Sequence, residues 1–573
     1  MVSIEYILKK EYPKLFEYPD LISKSVVKIS QWIVHENSIN RFMAMHEQKT
    51  GLAFIDAALE HLNVSYKINN RQVENIPAIG KVIIIANHPL GALDALSLIQ
   101  MVCHVRQDQK VKIVANKMLS SIPQLKEFLI SVDNMNEKVS KYALRQIDTA
   151  LRAEEAVIFF PSGEVSRGGM FGLKEGAWKG GFVKFAKRNN APILPIFIRA
   201  RNSSLFYTAS WIYKPLGTLL LSHEMFAARN RVFDMTIGKL VSEKALNDFN
   251  LTDKHHAKLF RKHLLRIAKG KVGIYPTECS IAHPVSRQDI RAELKFGERI
   301  GTTSDNKHIY LIEHENAPNL INEIGRLREY SFRKVGEGSG KAKDLDEYDR
   351  YYHHLVLWDD EALEVVGAYR IGECGWILSW LGQEGLYLSD LCDINERFDP
   401  ILEDAIELGR SFVQPKYWGT RALDYLWQGI GAYLSHNPHI KYMIGPVSIS
   451  GSYPKHAQEA LVYFYNLYFG SDHSYLKAKS PYRLSDFVEA EFGELFSGNN
   501  YTEDFRVLKD YLKTFDVAVP TLYKQYSELC EEGGAQFIDF GIDVDFNNCI
   551  DGYILVEIAK IKAVKRQRYI QAV

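Results

Sequence analysis

The chemistry open to this chain begins at His88. An apolar, β-branched run, Val82 to Ile85, reads as a short buried strand and ends in Ala86-Asn87-His88. Pro89 and Gly91 then force a turn, and Asp94 opens a helix-like run, Ala95 to Val102. An imidazole at the mouth of a strand can take a proton from a hydroxyl. A carboxylate just beyond the turn can fix its tautomer and stabilise the imidazolium. An ordinary strand-turn-helix junction would present the same residues. The second stretch runs from Ala156 to Arg167. Here a buried strand leads into Phe160, Pro161, Ser162, Gly163 and Glu164, then Ser166 and Arg167. Backbone amides freed at such a turn, with one guanidinium, make a site for an anionic or polar head group.

These residues need elements to hold them. At 573 residues the chain is too long for one core, so two domains or more are expected. Lys+Arg and Asp+Glu are both 70, which leaves no overall field to favour nucleic acid. The six cysteines include no CxxC pair, which argues against a zinc site or a disulfide framework and suits a reducing cytosol. No apolar run reaches the length of a membrane span, and no leader pattern is visible. The expectation is a cytoplasmic protein that touches a membrane without crossing it.

Residues 1–75 read as helical. Ile22, Val26, Ile29, Trp32 and Ile33 recur at helical spacing, and Leu52, Phe54, Ile55, Leu59 and Leu62 form a second apolar face. Both faces could lie on lipid, but they lack a dense basic border, so packing on the next domain is favoured. From 81 to about 240, strands at 82–86, 111–115, 156–160, 193–198 and 232–238 alternate with helices at about 94–106, 137–152 and 176–189. That alternation implies an α/β sheet with sites at strand ends. Lys254 to Lys271 reads as a basic amphipathic helix, suited either to docking anionic lipid or an acidic carrier protein, or to a solvated face. Pro276, Pro284 and the Gly301 stretch mark 276–305 as a linker between domains at 76–275 and 306–573.

His88 with Asp94, and Phe160 to Arg167, resemble the first and third motifs of the glycerolipid acyltransferases, and Ala191 to Ile196 resembles the fourth. The resemblance implies that His88 is the base, that Asp94 orients it, and that Phe160 to Arg167 bind the acceptor. Three departures stand out, one being Ser162 where the family has Glu after Phe-Pro, with Glu164 two positions later. Five residues rather than four separate His88 from Asp94. Asn134 stands where the family's second motif places a phosphate-holding Arg. A neutral amide cannot replace bidentate guanidinium–phosphate pairing, so the acceptor is expected to lack a phosphate; Lys117 is the cation that could compensate.

The second half restarts with strands expected at Ile309–Glu313, His354–Trp358 and Val365–Arg370, a helix at Ala317–Phe332, and a strand at Glu407–Val413. That last strand runs through Pro415 to Thr420 into a helix, Arg421 to Ser435. Strand, turn and helix in this order resemble the donor-binding unit of the GNAT superfamily, where helix N-terminal amides hold the donor's phosphates. Tyr417 and Gly419 are the donor-binding candidates, and the thinned loop suits the single phosphodiester of phosphopantetheine. Arg328, Phe332, Asp346, Asp349, Arg370, Glu407 to Arg410 and the late Asp543 to Asn547 resemble the amino-acid N-acyltransferases of ornithine-lipid synthesis, cousins of the acyl-homoserine lactone synthases. That chemistry needs a base for an α-ammonium and cations for a carboxylate. Glu407 is the candidate base with Asp349 as alternate, and Arg370 and Arg410 are the candidate cations. An internal salt-bridge network would use the same residues.

As a whole the chain resembles the bifunctional ornithine-lipid synthases. The implied fold is α/β: N-terminal helices and a glycerolipid-acyltransferase domain, then a GNAT-like mixed domain. The implied function is N-acylation of an amino acid, ornithine being the common choice, with a 3-hydroxyacyl group from acyl carrier protein, then O-acylation of the lyso-lipid. No metal or cofactor is implied beyond the acyl-carrier donor, and the implied place is peripheral, on the inner face of the cytoplasmic membrane. Phospholipid remodelling with a binding-only second half, or a non-catalytic hemolysin-like module, are the alternatives.

Overall fold

The computed structural model describes residues 3–11, 13–106, 108–116, 122–132, 141–169, 172–212 and 214–570. Lys117 and Asn134 lie outside them. The chain divides into two compact units, Met1–His283 and Pro284–Val573.

The first unit is built on seven strands: β1 (Ser65–Lys67), β2 (Val82–Ala86), β3 (Val111–Asn116), β4 (Leu129–Val132), β5 (Ala156–Phe159), β8 (Ile193–Arg199) and β9 (Val232–Ile237). Between β5 and β8 lies a hairpin, β6 (Arg167–Gly169) and β7 (Gly172–Lys174). The sheet order is β1-β9-β8-β2-β5-β3-β4, parallel except where β8 meets β9. Every residue of β2 is buried because both faces are covered. Val82, Ile84 and Ala86 pack with the helices Gly51–His61 and Ala92–Val105. Ile83 and Ile85 pack with Lys141–Arg152, Gly181–Asn189 and Asp253–Ile267. Burying each of these β-branched side chains contributes about 1.5–3 kcal/mol, which fixes the strand that ends at His88.

Two expectations change here. The apolar side of Asp253–Ile267 is committed to the core through Phe260 and Leu264, so only its basic side is left for other partners. The stripe on the helix Asp20–Val34 faces outward instead: Trp32 is 73% and Leu21 82% exposed, while Ser23, Val27, Ser30 and Val34 form the buried side. Sequence periodicity registers an apolar face but not which side of the helix is covered.

The second unit holds an eight-stranded sheet: β10 (Glu298–Thr302), β11 (His308–Ile312), β12 (His353–Asp359), β13 (Glu364–Glu373), β15 (Ala405–Val413), β16 (Tyr442–Ile449), β18 (Ala535–Asp543) and β19 (Cys549–Glu557). Its order is β10-β11-β12-β13-β15-β16-β19-β18. A separate pair joins β14 (Cys392–Ile394) to β17 (Leu476–Ala478). All neighbours in the large sheet are antiparallel except β15 and β16. Those two pair only over Ala405–Glu407 and Tyr442–Ile444. Beyond that point β15 continues on β13 and β16 continues on β19, so pairing between them stops inside the sheet. Gly445 follows the last paired residue, where a Cβ would collide with the Leu408 carbonyl. Residues 276–305, expected as a linker, contain the helix Arg287–Glu293 and strand β10. Pro276 and Pro284 gave a turn signal that outweighed the short Arg299–Ile300 pattern.

Candidate active sites

In the first unit His88 leaves the end of β2 and Asp94 lies in the first turn of Ala92–Val105. Asp94 Oδ2 is 3.0 Å from His88 Nδ1 and accepts hydrogen bonds from the Leu90 (2.7 Å) and Gly91 (3.0 Å) amides. The five-residue spacing is absorbed by these two amides, with Gly91 at φ 83° opening the helix. Burial pushes the Asp94 carboxyl up, and His88 and the two amides pull it down. Asp94 Oδ1 is buried without a hydrogen-bond partner among the described residues. With Nδ1 directed at the carboxylate, Nε2 is the nitrogen left for a substrate hydroxyl.

The Phe160 ring stacks on the imidazole at 3.9 Å between centroids. The Ser166 amide donates to the His88 carbonyl at 2.9 Å, so the Phe160–Arg167 stretch is bonded directly to the turn that carries His88. Gly163, at φ 70°, turns the chain so that its amide reaches the Phe160 carbonyl, and the Lys179 amide donates to Pro161. Ser162 Oγ donates to the Glu164 carbonyl at 2.9 Å, and Arg167 Nε lies 3.6 Å from Glu164 Oε2.

Two asparagines that the sequence did not single out hold this turn. The Asn87 amide exchanges hydrogen bonds with Ile198 on β8, at 2.9 and 2.7 Å, and Asn202 Nδ2 donates to the Pro89 carbonyl at 2.9 Å. The signal for Asn87 was its place just before His88. Asn202 had none, because its partner is 113 residues away.

In the second unit Glu407, on β15, is fully buried. It accepts from Tyr352 Oη (2.5 Å), the Tyr387 amide (3.0 Å) and the Leu388 amide (2.7 Å). Burial raises its carboxyl, and these donors with Arg370 oppose that. Asp349 is held differently. Against the upward pull of burial, Arg328 at 2.6 Å and Arg370 at 3.5 Å keep it far below the usual carboxylate range. Those two pairs make Asp349 the counter-ion of both guanidiniums.

Arg370 bonds Asp346 and is enclosed by the Tyr348, Tyr352 and Tyr387 rings, with its centre 5.2–5.5 Å from each. Its Nε and Nη2 are buried without hydrogen-bond partners among the described residues. Arg410 protrudes from a bulge in β15, with left-handed backbone at φ 49°. It reaches Asp344 (3.2 Å), Asp346 (3.4 Å) and the Tyr387 hydroxyl (2.9 Å), and that hydroxyl donates to Asp543 at 3.4 Å. The sequence-derived residues Glu407, Asp349, Arg370 and Arg410 thus come together through Tyr352 and Tyr387, which the sequence did not single out.

Beside them lies a buried acidic group. Asp543, Cys549 and Asp551 bring their ligand atoms within 4.8 Å of one another, close enough to surround a small cation. Glu337 accepts from Ser448, which pairs across the strands with Asp551. Burial, then Asp543 and Glu337, push Asp551 up to about 8, and burial pushes Glu337 up to about 7.

Tyr417 and Gly419 lie past the end of β15, apart from this group. The Tyr417 hydroxyl is committed to Glu364 at 2.5 Å, so its expected role as a substrate ligand would cost that bond. Gly419, at φ 76°, has open space around it. The helix that follows, Ala422–His436, carries Asp424 in its first turn, paired with Arg568 at 2.7 Å and Arg421 at 3.4 Å.

Residues 19–265 match a family model described as "Acyltransferase", and 327–428 match one described as "Acetyltransferase (GNAT) domain". A glycine N(alpha)-acyltransferase from Bacteroides thetaiotaomicron is 33% identical over 309 residues, 51% of this chain and 89% of that protein. A lyso-glycine lipid O-acyltransferase from the same organism is 29% identical over 245 residues, 42% of this chain and 88% of its own length. An L-ornithine N(alpha)-acyltransferase from Brucella abortus is 31% identical over 135 residues, 22% of this chain and 46% of that protein. The chain is an acyltransferase and belongs to the family of these glycine N(alpha)-acyltransferases, joining an acyltransferase domain to a GNAT domain in one polypeptide.

Proposed function

We propose that the chain makes a doubly acylated amino-acid lipid in two steps. The second unit transfers a 3-hydroxyacyl group from acyl carrier protein to the α-amine of an amino acid. The first unit then acylates the 3-hydroxyl of that lyso-lipid. The observation that carries this reading is that one polypeptide is similar both to a glycine N-acyltransferase and to a lyso-glycine lipid O-acyltransferase, each over nearly its whole length. Glycine is the preferred acceptor for the same reason. Ornithine is favoured by one feature: the buried Asp543–Asp551–Glu337 group could hold a side-chain ammonium.

In the first unit His88 Nε2 takes the proton of the lyso-lipid hydroxyl as its oxygen attacks the thioester carbonyl. Asp94 steadies the imidazolium, which then returns the proton to the departing thiolate. In the second unit the free nitrogens of Arg370, with Arg410, hold the amino acid's carboxylate. Glu407 takes a proton from the α-ammonium with Tyr352 as intermediary, the amine attacks the thioester carbonyl, the C–S bond breaks as the amide forms, and the carrier's thiolate leaves with the proton that the nitrogen sheds. Placing both centres on one chain raises the local concentration of the lyso-lipid. Tyr18, Leu21, Ile22, Ile29 and Trp32 form the face that would rest on the inner leaflet of the cytoplasmic membrane, as interfacial aromatics and aliphatics do.

The test is to express the chain in a host without aminolipids and resolve the lipids by mass spectrometry. The parent should give a diacylated glycine lipid, His88→Ala should accumulate the mono-acylated form, and Glu407→Ala should give neither. Altered phospholipid chains without any aminolipid would replace this reading with remodelling, and unchanged lipids with a binding module.

A further inference from the structure

The helix Asp253–Ile267 has two unlike sides. Phe260 and Leu264 are buried, and the Phe260 ring meets Phe182 of the helix Gly181–Asn189 edge-on at 5.5 Å between centroids. The outer side carries Lys254, Lys258, Lys262 and Arg266 in four-residue steps, followed by Lys269, and all five are exposed. None of the five pairs with a carboxylate among the described residues. The helix contains one acid, Asp253, and Lys187 of the neighbouring helix matches it at 3.9 Å. Like charges four residues apart destabilise a helix by about 0.2–0.5 kcal/mol per pair, and Lys254 with Lys258, Lys258 with Lys262 and Lys262 with Arg266 each incur that cost. In a chain whose Lys+Arg and Asp+Glu are both 70, such a row is a local field and not a by-product of composition.

The row starts beside the acceptor turn. A Cβ on Gly180 would stand 2.7 Å from the Asp253 carbonyl, so the first turn of the helix lies against the end of the segment 175–180. In that segment the Lys179 amide donates to the Pro161 carbonyl at 2.9 Å, and Pro161 follows the Phe160 ring that stacks on His88. Arg261, on the same helix, reaches Glu175 at 3.3 Å. From Lys254 to Arg266 the row extends about 18 Å along the helix.

An extended row of cations with little apolar surface suits an acidic protein better than a bilayer. A helix lying on lipid buries its apolar side in the acyl boundary, and this helix has given that side to the core. Leu265, at 40%, is the one exposed large apolar side chain among the described residues of this helix. We propose that this basic face is where an acidic acyl carrier protein docks to present its thioester to His88. The proposal rests on the carrier-dependent O-acylation in the two-step function above.

The test uses the full chain, with N-(3-hydroxypalmitoyl)glycine as acceptor and a palmitoyl thioester supplied either on acyl carrier protein or on free pantetheine. Joint Lys258→Glu and Lys262→Glu substitution should lower kcat/KM for the carrier thioester about tenfold, mainly through KM, and make the remaining rate less sensitive to salt. The rate with palmitoyl-pantetheine and the melting midpoint should hold. The milder Lys258→Gln with Lys262→Gln should fall less far in the same direction. An unchanged carrier rate, or an equal fall with both donors, overturns the docking surface and leaves the two-step function intact. Lost binding to equimolar phosphatidylglycerol–phosphatidylcholine vesicles, with carrier kinetics unchanged, overturns it in favour of lipid. A parent that cannot use the carrier thioester at all overturns the donor in the two-step function itself.

Discussion

Each unit buries a carboxylate at the centre of its candidate site, and the two are held in contrasting ways. Asp94 gathers an imidazole and two amides on a single oxygen, while the other has no partner among the described residues. Glu407 takes three donors over both oxygens, and Asp349 is clasped by two guanidiniums. In the first unit the charge serves one imidazole. In the second it is spread over a network that also keeps the fold together, so geometry and stability share the same bonds.

That contrast sets distinct outcomes for distinct substitutions. Asp94→Asn should cut O-acylation by about 10²–10⁴-fold, the range for losing a base or its orienting group, with little change in the unfolding midpoint. Steady-state kinetics and thermal melting of the same preparation check both halves of the statement. Asp349→Asn should do the reverse. It leaves Arg328 and Arg370 buried with less counter-charge and should cost about 3–5 kcal/mol of stability, read by urea unfolding of the second unit. If Asp94→Asn proves the more destabilising of the two, the distinction between the sites fails.

A smaller effect concerns pH. Asp551 and Glu337 have folded-state pKa values raised to about 8 and about 7, above the ordinary carboxylate range. Their contribution to stability is fully present below about pH 4 and is lost as pH rises through 7 and 8. Asp349 is shifted down, so its contribution is present above about pH 4 and lost only in stronger acid. The melting temperature of the second unit should therefore fall by a few degrees between pH 6 and pH 9, and Asp551→Asn should flatten that slope. An identical slope in parent and variant would mean that Asp551 is not the titrating group.

How far the sequence could be read follows the range of the contacts. The β-branched run at Val82–Ile85 and the runs that became β5 and β8 were legible because a strand buried on both faces shows as an apolar string, and β3 and β9 were legible through the alternation of a strand with one covered face. The three-residue β1 at Ser65–Lys67 was not, because it is held by pairing with β9, more than 160 residues on. In the second unit Glu407 and Arg410 stood out by residue type and spacing. The donors on Glu407 did not, because Tyr387 and Leu388 reach it from a four-residue helix about twenty residues earlier. Charged side chains advertise themselves in a sequence, whereas the backbone amides that saturate them do not.

The backbone at Arg410 has one more consequence. A non-glycine residue at φ 49° gives up about 1–2 kcal/mol that glycine or asparagine would recover. Taking the guanidinium away would leave Asp344 buried without its cation, at a cost of about 3–5 kcal/mol that outweighs the strain recovered, so the ion pair itself holds the chain in a shape it would otherwise give up.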